Sequence, residues 1–447
     1  MKVALVQPPN VQRAGDWKKM RVAKPPINIA LLAAYIRQFG HEPLLYDLDW
    51  FDGSLEEMAA LILTGNPGVV GITCLTPRIQ LTLSLARSIK NLNRQVTIII
   101  GGAHVNAVRE ESLYTDDIDY AIYGESEKAL LKLVEAIDAG HSITDIPNLI
   151  YRNGEHVVIN PTGPLVENLD ELPFPAWDLL DLETYIDPPI FDGAHMGVMT
   201  SRGCPWHCIF CASGVTWGST VRFRSAENVI EELEQIVHKL GIRNIMFYDD
   251  TFTMNKKNFL KICNGIVKRN LNLKYYSQVR VDTIDEEVAA ALAESGCISA
   301  AIGAESGNNE VLKTLKKWFK TEDVIKAVSM LKAADVPILA TYIIGCPGEN
   351  HESIERTLKF SIELGTNQAK YMILTPFPRT ELFRMCVEKG LLPSYMTPAQ
   401  WSKFTYYQHV AANLSKVSTE ELLEFQRIAY ETFPQRPLIP SRLKEKG

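Results

Sequence analysis

Apolar residues along the first 140 positions follow two alternating rhythms. Short runs at residues 2–7, 41–47, 69–73, 96–100 and 120–123 read as buried strands. Between them apolar side chains return every three or four residues. Ile29, Leu32, Ile36 and Phe39 share one face of a predicted helix over 28–39, and Gly40 stops it. Residues 55–63, 78–90 (with Leu81, Leu85 and Ile89 on one face) and 126–138 give three more helices. Five strands with helical crossovers predict an α/β domain over 1–140 built on a doubly wound parallel sheet. Ligands of such sheets sit at the carboxyl ends of the strands. Those ends carry Gln7-Pro8-Pro9, Thr73-Cys74-Leu75-Thr76, Gly101-Gly102-Ala103-His104 and Gly124-Glu125.

Residues 141–195 are dense in proline and read as a linker, with a small hairpin around Asn153-Gly154. A second alternation follows, with strands expected at 197–201, 244–249, 275–281, 298–303, 338–344 and 369–374. The clearest helix spans 226–240, with Ser225 as N-cap and Gly241 as stop. Six βα units are too few for a closed eight-fold barrel. They predict a partial (β/α)6 TIM-type barrel over 196–385, open on one side, with its site at the strand C-termini. Residues 386–447 read as a helical C-terminal region with a basic tail.

At 447 residues the chain is too long for one ordinary domain. Its 46% hydrophobic and 22% charged residues exclude wholesale disorder. A formal net charge of −7 with no basic block speaks against a nucleic-acid partner. No apolar stretch approaches a membrane span, and Lys2 leads directly into a strand instead of a signal peptide. The cytoplasm is the expected compartment. Of eight cysteines, five are scattered singly and three fall within eight residues, at 204, 208 and 211. That is one metal site in a reducing environment, not a disulfide framework.

The loop Cys204-Pro-Trp-His-Cys208-Ile-Phe-Cys211 decides the chemistry. Three thiolates on one loop suit three irons of a cubane, whose fourth iron is then open to a ligand the protein does not supply. Zinc is the alternative, but it wants four ligands and no second CxxC pair exists. The CxxxCxxC spacing, with Phe210 before the last cysteine, resembles the radical S-adenosylmethionine (SAM) superfamily. The resemblance implies a [4Fe-4S] cluster on Cys204, Cys208 and Cys211 whose open iron binds SAM. It extends to further segments of the predicted barrel. Asp249 and Asp250 in Phe247-Tyr248-Asp249-Asp250-Thr251-Phe252 would meet the methionyl amine. Gln278 and Arg280 lie on the third strand. Glu305 and Ser306 lie after the fourth, where a carboxylate accepts from ribose hydroxyls. Gly345, in Ile343-Ile344-Gly345-Cys346-Pro347, would lie beside the adenine. Arg379, in Thr375-Pro-Phe-Pro-Arg379-Thr380, replaces a glycine usual in the family. Each carries a plainer reading too: solvated turn aspartates, a structural ion pair at Glu305, a brace at Arg280.

The first domain resembles the flavodoxin-like cobalamin-binding domain of cobalamin-dependent radical SAM enzymes. Thr73-Cys74-Leu75 followed by Gly101-Gly102 matches that family's Ser-x-Leu and Gly-Gly pair, so Thr73, Leu75, Gly101, Gly102, His104, Gly124 and Glu125 are expected around the cofactor. The Asp-x-His-x-x-Gly motif of other cobalamin proteins is missing, since residues 8–40 hold no histidine. The resemblance therefore implies cobalt without that ligand, with the Thr76-Pro77-Arg78 loop among the candidates for its lower face. It further implies a class B radical methyltransferase, in which a 5′-deoxyadenosyl radical activates a carbon of a small-molecule substrate and methylcobalamin supplies the methyl group. The site is expected between the two domains, and a flavodoxin or ferredoxin as reducing partner. Oxidative cyclisation or rearrangement with the same cofactors, and a non-catalytic cobalamin or metal sensor, are the alternatives. A methylthiotransferase would need a second cysteine trio, and only Cys74 precedes residue 204.

Overall fold

The computed structural model describes residues 1–9, 24–187, 190–407 and 409–438. The chain divides into two compact units, and not by a single cut. One unit holds residues 1–184 with 215–218 and 395–403; the other holds 185–214, 219–394 and 404–447.

The first unit runs β1 (Lys2–Gln7), α1 (Ile27–Arg37), β2 (Glu42–Asp47), α2 (Leu55–Thr64), β3 (Val69–Thr73), α3 (Ile79–Leu92), β4 (Thr97–Gly101), α4 (Ala103–Val108), β5 (Tyr120–Ile122), α5 (Glu127–Ala139), β6 (Leu149–Asn153) and β7 (His156–Ile159). The sheet order is β2-β1-β3-β4-β5-β6-β7, with the first five strands parallel. That is the flavodoxin-like order, with its switch point between β1 and β3. Strand residues alternate faces. Ala4, Val6, Val70, Ile72, Ile98 and Ile100 pack on α2 and α3. Val3, Leu5, Val69, Ile99 and Ile122 pack on α1 and α5. Both faces are therefore apolar, and the strands read as unbroken hydrophobic runs.

The hairpin at Asn153-Gly154 forms, but the segment around it is not a free linker. β6 joins β5 antiparallel and β7 joins β6, extending the sheet. Asn148 Nδ2 donates to the Tyr123 carbonyl at 2.8 Å, and Glu125 accepts from the Val166 amide at 2.7 Å. These bonds fasten the proline-rich stretch to the strand ends.

The second unit begins with β8 (His195–Val198). Then follow β9 (Ser201–Arg202), the single turn α6 (Ser213–Thr216, whose last two residues belong to the first unit) and β10 (Arg222–Phe223). The main alternation is α7 (Ala226–Lys239), β11 (Asn244–Phe247), α8 (Lys256–Lys268), β12 (Lys274–Val279), α9 (Glu286–Ser295), β13 (Cys297–Glu305), α10 (Asn309–Thr314), α11 (Thr321–Ala333), β14 (Ile338–Ile344), α12 (His351–Leu364) and β15 (Gln368–Ile373). Six parallel strands lie in the order β8-β11-β12-β13-β14-β15, the partial barrel the sequence predicts. Ser225 caps α7 by accepting from the Asn228 amide, and Gly241 takes φ +72° just beyond its end.

Beyond the barrel lie α13 (Glu381–Glu388), α14 (Pro398–Trp401), which belongs to the first unit, and α15 (Thr419–Thr432). The region beyond residue 386 is thus only partly helical, and the basic tail falls outside the described residues. Much of it covers the open edge of β15. Gln426 Nε2 donates to the Tyr371 carbonyl at 2.7 Å, the Ile373 amide donates to the Tyr406 carbonyl at 3.1 Å, and the Gln435 side chain both accepts from and donates to the backbone of Ala369. An uncovered strand edge is a template for aggregation; here side chains and the Tyr406 carbonyl occupy it.

Candidate functional site

The cysteine loop leaves β9 through Gly203, at φ +98°. A Cβ there would stand 2.3 Å from the Thr220 carbonyl oxygen, so only glycine permits this turn beside β10. The loop is pinned at its middle. The Ile209 amide donates to the Leu315 carbonyl, the Leu382 amide donates to the Ile209 carbonyl, and Ile209 and Phe210 pack against Val311, Leu315, Ile343 and Leu382. Cys204, Cys208 and Cys211 are free and partly exposed, whereas the other five cysteines are free and buried. Burial pushes the Cys204 thiol up to about 11 and raises Cys211 as well, with Asp250 and the neighbouring cysteines adding to the effect. Such thiols hold their protons at neutral pH until a metal displaces them. Among the described residues no three His, Cys, Asp or Glu side chains form a group that could hold one metal ion. A cubane is larger than one ion and spaces its thiolates farther apart. Three free thiols on one anchored loop fit its donor set.

The two aspartates after β11 separate in role. Asp249 is 1% exposed and accepts from the Thr200 amide and hydroxyl and the Ser201 hydroxyl. It locks the β8–β9 bend, which ends β8 at Val198 where the sequence predicts a strand to 201. Asp249 is neither a solvated turn residue nor free for a ligand. Asp250 accepts from Ser213 Oγ at 2.6 Å, and Ser213 Oγ accepts from the Cys211 thiol at 3.3 Å. This short relay joins an acidic group to the cluster loop, and burial raises the Asp250 pKa.

On β12, Gln278 is exposed and its carbonyl accepts from the Phe252 amide. Arg280 is a brace. It donates to Asp282 and to the Lys317 carbonyl, and its guanidinium lies 4.4 Å from the Trp206 ring centroid, inside the cysteine motif. Glu305 sits at the bulged end of β13 with φ +60°, a strained conformation for a residue with a side chain. One carboxylate oxygen accepts from Lys317 Nζ at 2.8 Å; the other is buried and has no hydrogen-bond partner among the described residues. A Cβ at Gly303 would stand 2.4 Å from that paired oxygen, so the glycine makes room for the carboxylate. The ion-pair reading of Glu305 holds, and its spare oxygen still has acceptor capacity to offer. Ser306 is engaged with Thr357 and the Asn308 amide, and Gly345 takes φ +85°. Lys317 is absent from the sequence expectations, yet this lysine is only 7% exposed.

At the strand ends of the first unit, the Thr73 hydroxyl accepts from Asn28 Nδ2 at 3.1 Å, and Leu75 is 44% exposed. Asn28, on α1, carried no signal in the sequence. Gly101 makes only ordinary contacts. Gly102 has φ +99°, and a Cβ on it would stand 3.0 Å from both the Cys74 carbonyl and Thr73 Oγ1. Gly124 is demanded by Asn148, whose amide nitrogen a Cβ would approach to 2.6 Å. So Gly102, Gly124 and Glu125 are fixed by the protein's own turns. His104 is fully buried, with Nδ1 3.3 Å from Thr76 Oγ1 and Nε2 3.2 Å from the Tyr114 hydroxyl. It is therefore not open to contact a corrin. Cys74 is buried strand-end packing, its thiol pushed up to about 12 by burial. An exposed leucine beside a hydroxyl and an amide, at the carboxyl ends of β1, β3 and β4, fits an amphipathic ligand such as cobalamin.

The model of the radical SAM superfamily matches residues 198–361, and that of the B12 binding domain matches residues 20–134. An uncharacterized methyltransferase of Pyrococcus horikoshii is 34% identical over 98% of this chain and 94% of its own length. The anaerobic magnesium-protoporphyrin IX monomethyl ester cyclase of Rubrivivax gelatinosus is 28% identical over 84% of this chain and 67% of its own. Among solved structures, the radical S-adenosylmethionine methyltransferase TsrM of Kitasatospora setae, with cobalamin and a [4Fe-4S] cluster bound, superposes with a TM-score of 0.79 at 17% identity. That match covers 96% of this chain and 90% of that one. At that identity the likeness shows the fold.

Proposed function

Because this chain belongs to the radical SAM superfamily, in the branch that carries an N-terminal B12-binding domain, we propose that it is a cobalamin-dependent methyltransferase acting on an unactivated carbon of a small molecule. The observation that carries this reading is the anchored three-thiol loop with the half-paired Glu305 carboxylate in the same barrel unit. When bound, the cluster with SAM supplies a hydrogen-abstracting radical, and cobalamin supplies the methyl group.

The chain's own residues bind and orient. Cys204, Cys208 and Cys211 hold the cluster, and the Arg280–Trp206 stack and the Ile209 backbone bonds keep their loop in place. Asp250 offers a carboxylate to the methionyl ammonium, a charge-assisted bond. The spare oxygen of Glu305 accepts from a ribose hydroxyl, while Lys317 pairs with the other oxygen of that buried carboxylate. Thr73 and Leu75 offer a polar and an apolar contact to cobalamin. Among the described residues no helix is long and apolar enough to cross a membrane. The free thiols favour a cytoplasmic location and a flavodoxin- or ferredoxin-type electron donor.

The test is anaerobic purification and reconstitution, with iron, sulfide and cobalamin quantified by absorption and electron paramagnetic resonance. About four irons and one cobalamin per chain are expected, with the iron signal lost in a Cys204→Ala/Cys208→Ala/Cys211→Ala variant. Methyl-deuterated SAM with a small-molecule extract then yields a product carrying the label. Iron without cobalamin under every loading condition sinks the methyltransferase reading. A product that gains no methyl favours cyclisation, the activity named for the Rubrivivax relative.

A further inference from the structure

The β3–α3 and β4–α4 turns of the first unit are clasped together. The Cys74 amide donates to the Gly101 carbonyl at 2.7 Å, and the His104 amide donates back to the Cys74 carbonyl at 3.1 Å. The His104 side chain adds a third bond, to Thr76. Its other ring nitrogen meets Tyr114, and its ring lies edge-on to Trp401 of α14, 5.8 Å between centroids. Burial holds the imidazole pKa down at about 3, so it is neutral at any physiological pH.

A neutral imidazole has one donor and one acceptor. One ring nitrogen of His104 therefore donates and the other accepts, which links the Thr76 and Tyr114 hydroxyls through the buried ring, and the Trp401 ring covers that ring edge-on. On the far side of the same turn, Arg78 donates to the Pro8 carbonyl at 2.8 Å and lies 3.7 Å from Asp49. The turn that follows Leu75 is thus held from both sides of the switch point between β1 and β3.

We propose that His104 is a positioning residue of the cobalamin site: it holds the Thr76-Pro77-Arg78 turn through the buried Tyr114–His104–Thr76 hydrogen-bond chain, which the Trp401 ring covers, and it is not itself a cobalt ligand. The inference rests on the cobalamin reading above and goes beyond it, because it gives α14 and a fully buried histidine a part in a site they do not touch.

The experiment uses the full-length protein titrated anaerobically with hydroxocobalamin. Thermal melting is recorded for each variant, and the cob(II)alamin form is examined by electron paramagnetic resonance. His104→Ala and Thr76→Val each weaken cobalamin binding by roughly tenfold or more, the size expected when a buried bridge is broken. His104→Asn, whose amide can still donate to Thr76, retains most of the affinity. The wild-type cob(II)alamin spectrum carries no splitting from a histidine nitrogen. Wild-type affinity in His104→Ala overturns the inference, as does affinity in the three variants that merely tracks their melting temperatures. A nitrogen splitting that His104→Ala abolishes overturns it too, since His104 is then the ligand. If the wild type takes up no cobalamin, this inference and the reading beneath it fall together; if it binds and the variants bind equally, only this one falls.

Discussion

Asp249 and Asp250 are neighbours with the same side chain, and their surroundings give them different work. Asp249 answers three donors of the β8–β9 bend, so Asp249→Asn leaves some of them orphaned at a cost of about 1–3 kcal/mol. Its expected signature is a lower melting temperature. Among the described residues the Asp250 carboxylate is bonded only to the Ser213 hydroxyl, itself next to Cys211. Asp250→Asn is expected to leave the melting temperature near wild type and to weaken SAM binding to the reconstituted enzyme; equal effects on both readouts from both variants would contradict this division. Glu349 offers a pH test. Its carboxyl accepts from the Cys346 amide, has a second oxygen without a partner among the described residues, and is raised by burial to about 7. A carboxyl raised in the folded state contributes stability that is fully present below the unfolded value near 4.5 and is lost as pH rises to about 7. Glu349→Gln should therefore gain stability relative to wild type between pH 4.5 and 7 and hold a constant advantage above, measured by denaturant unfolding across that range.

Elements with strong period were legible in the sequence. α7, β14 and the five parallel strands of the first unit lie within a residue or two of their expected places, because burial of one helix stripe or of both strand faces writes itself into local sequence. What stayed hidden depends on partners far along the chain. β6 and β7 read as a small hairpin inside a linker, because the pairing of β6 to β5 has no local mark. The cysteine motif was visible as spacing, whereas Lys317, Asn28 and Ser213, which pair with Glu305, Thr73 and Asp250, are ordinary polar residues until the fold brings them there. Arg379 shows the converse: it takes φ +64°, so a glycine-like backbone persists after the glycine is gone. The cover on β15 is itself testable. Gln426→Ala removes two donations, to the carbonyls of Tyr371 and Tyr406. A loss of about 1–2 kcal/mol is expected, with faster amide exchange along residues 371–373; unchanged exchange there would show that α15 holds the edge by packing alone.

At the scale of the molecule, the first unit is discontinuous, since it is completed by residues 215–218 and 395–403. Expressed alone, residues 1–184 would lack Trp401 and leave His104 and Tyr114 without the ring that covers them. That fragment should melt lower than the first transition of the full chain and bind less cobalamin; a fragment of equal stability and affinity would make α14 dispensable. The same feature sets a timetable during synthesis. The sheet of the first unit is on hand once its own strands are made, but its last piece is encoded beyond the whole barrel. At ribosomal rates of about 5–20 residues per second, roughly 10–40 s separate the two. For that interval the nascent chain carries an assembled sheet with an unfinished cofactor rim, so cobalamin capture becomes a late, nearly post-translational event that reports completion of the barrel.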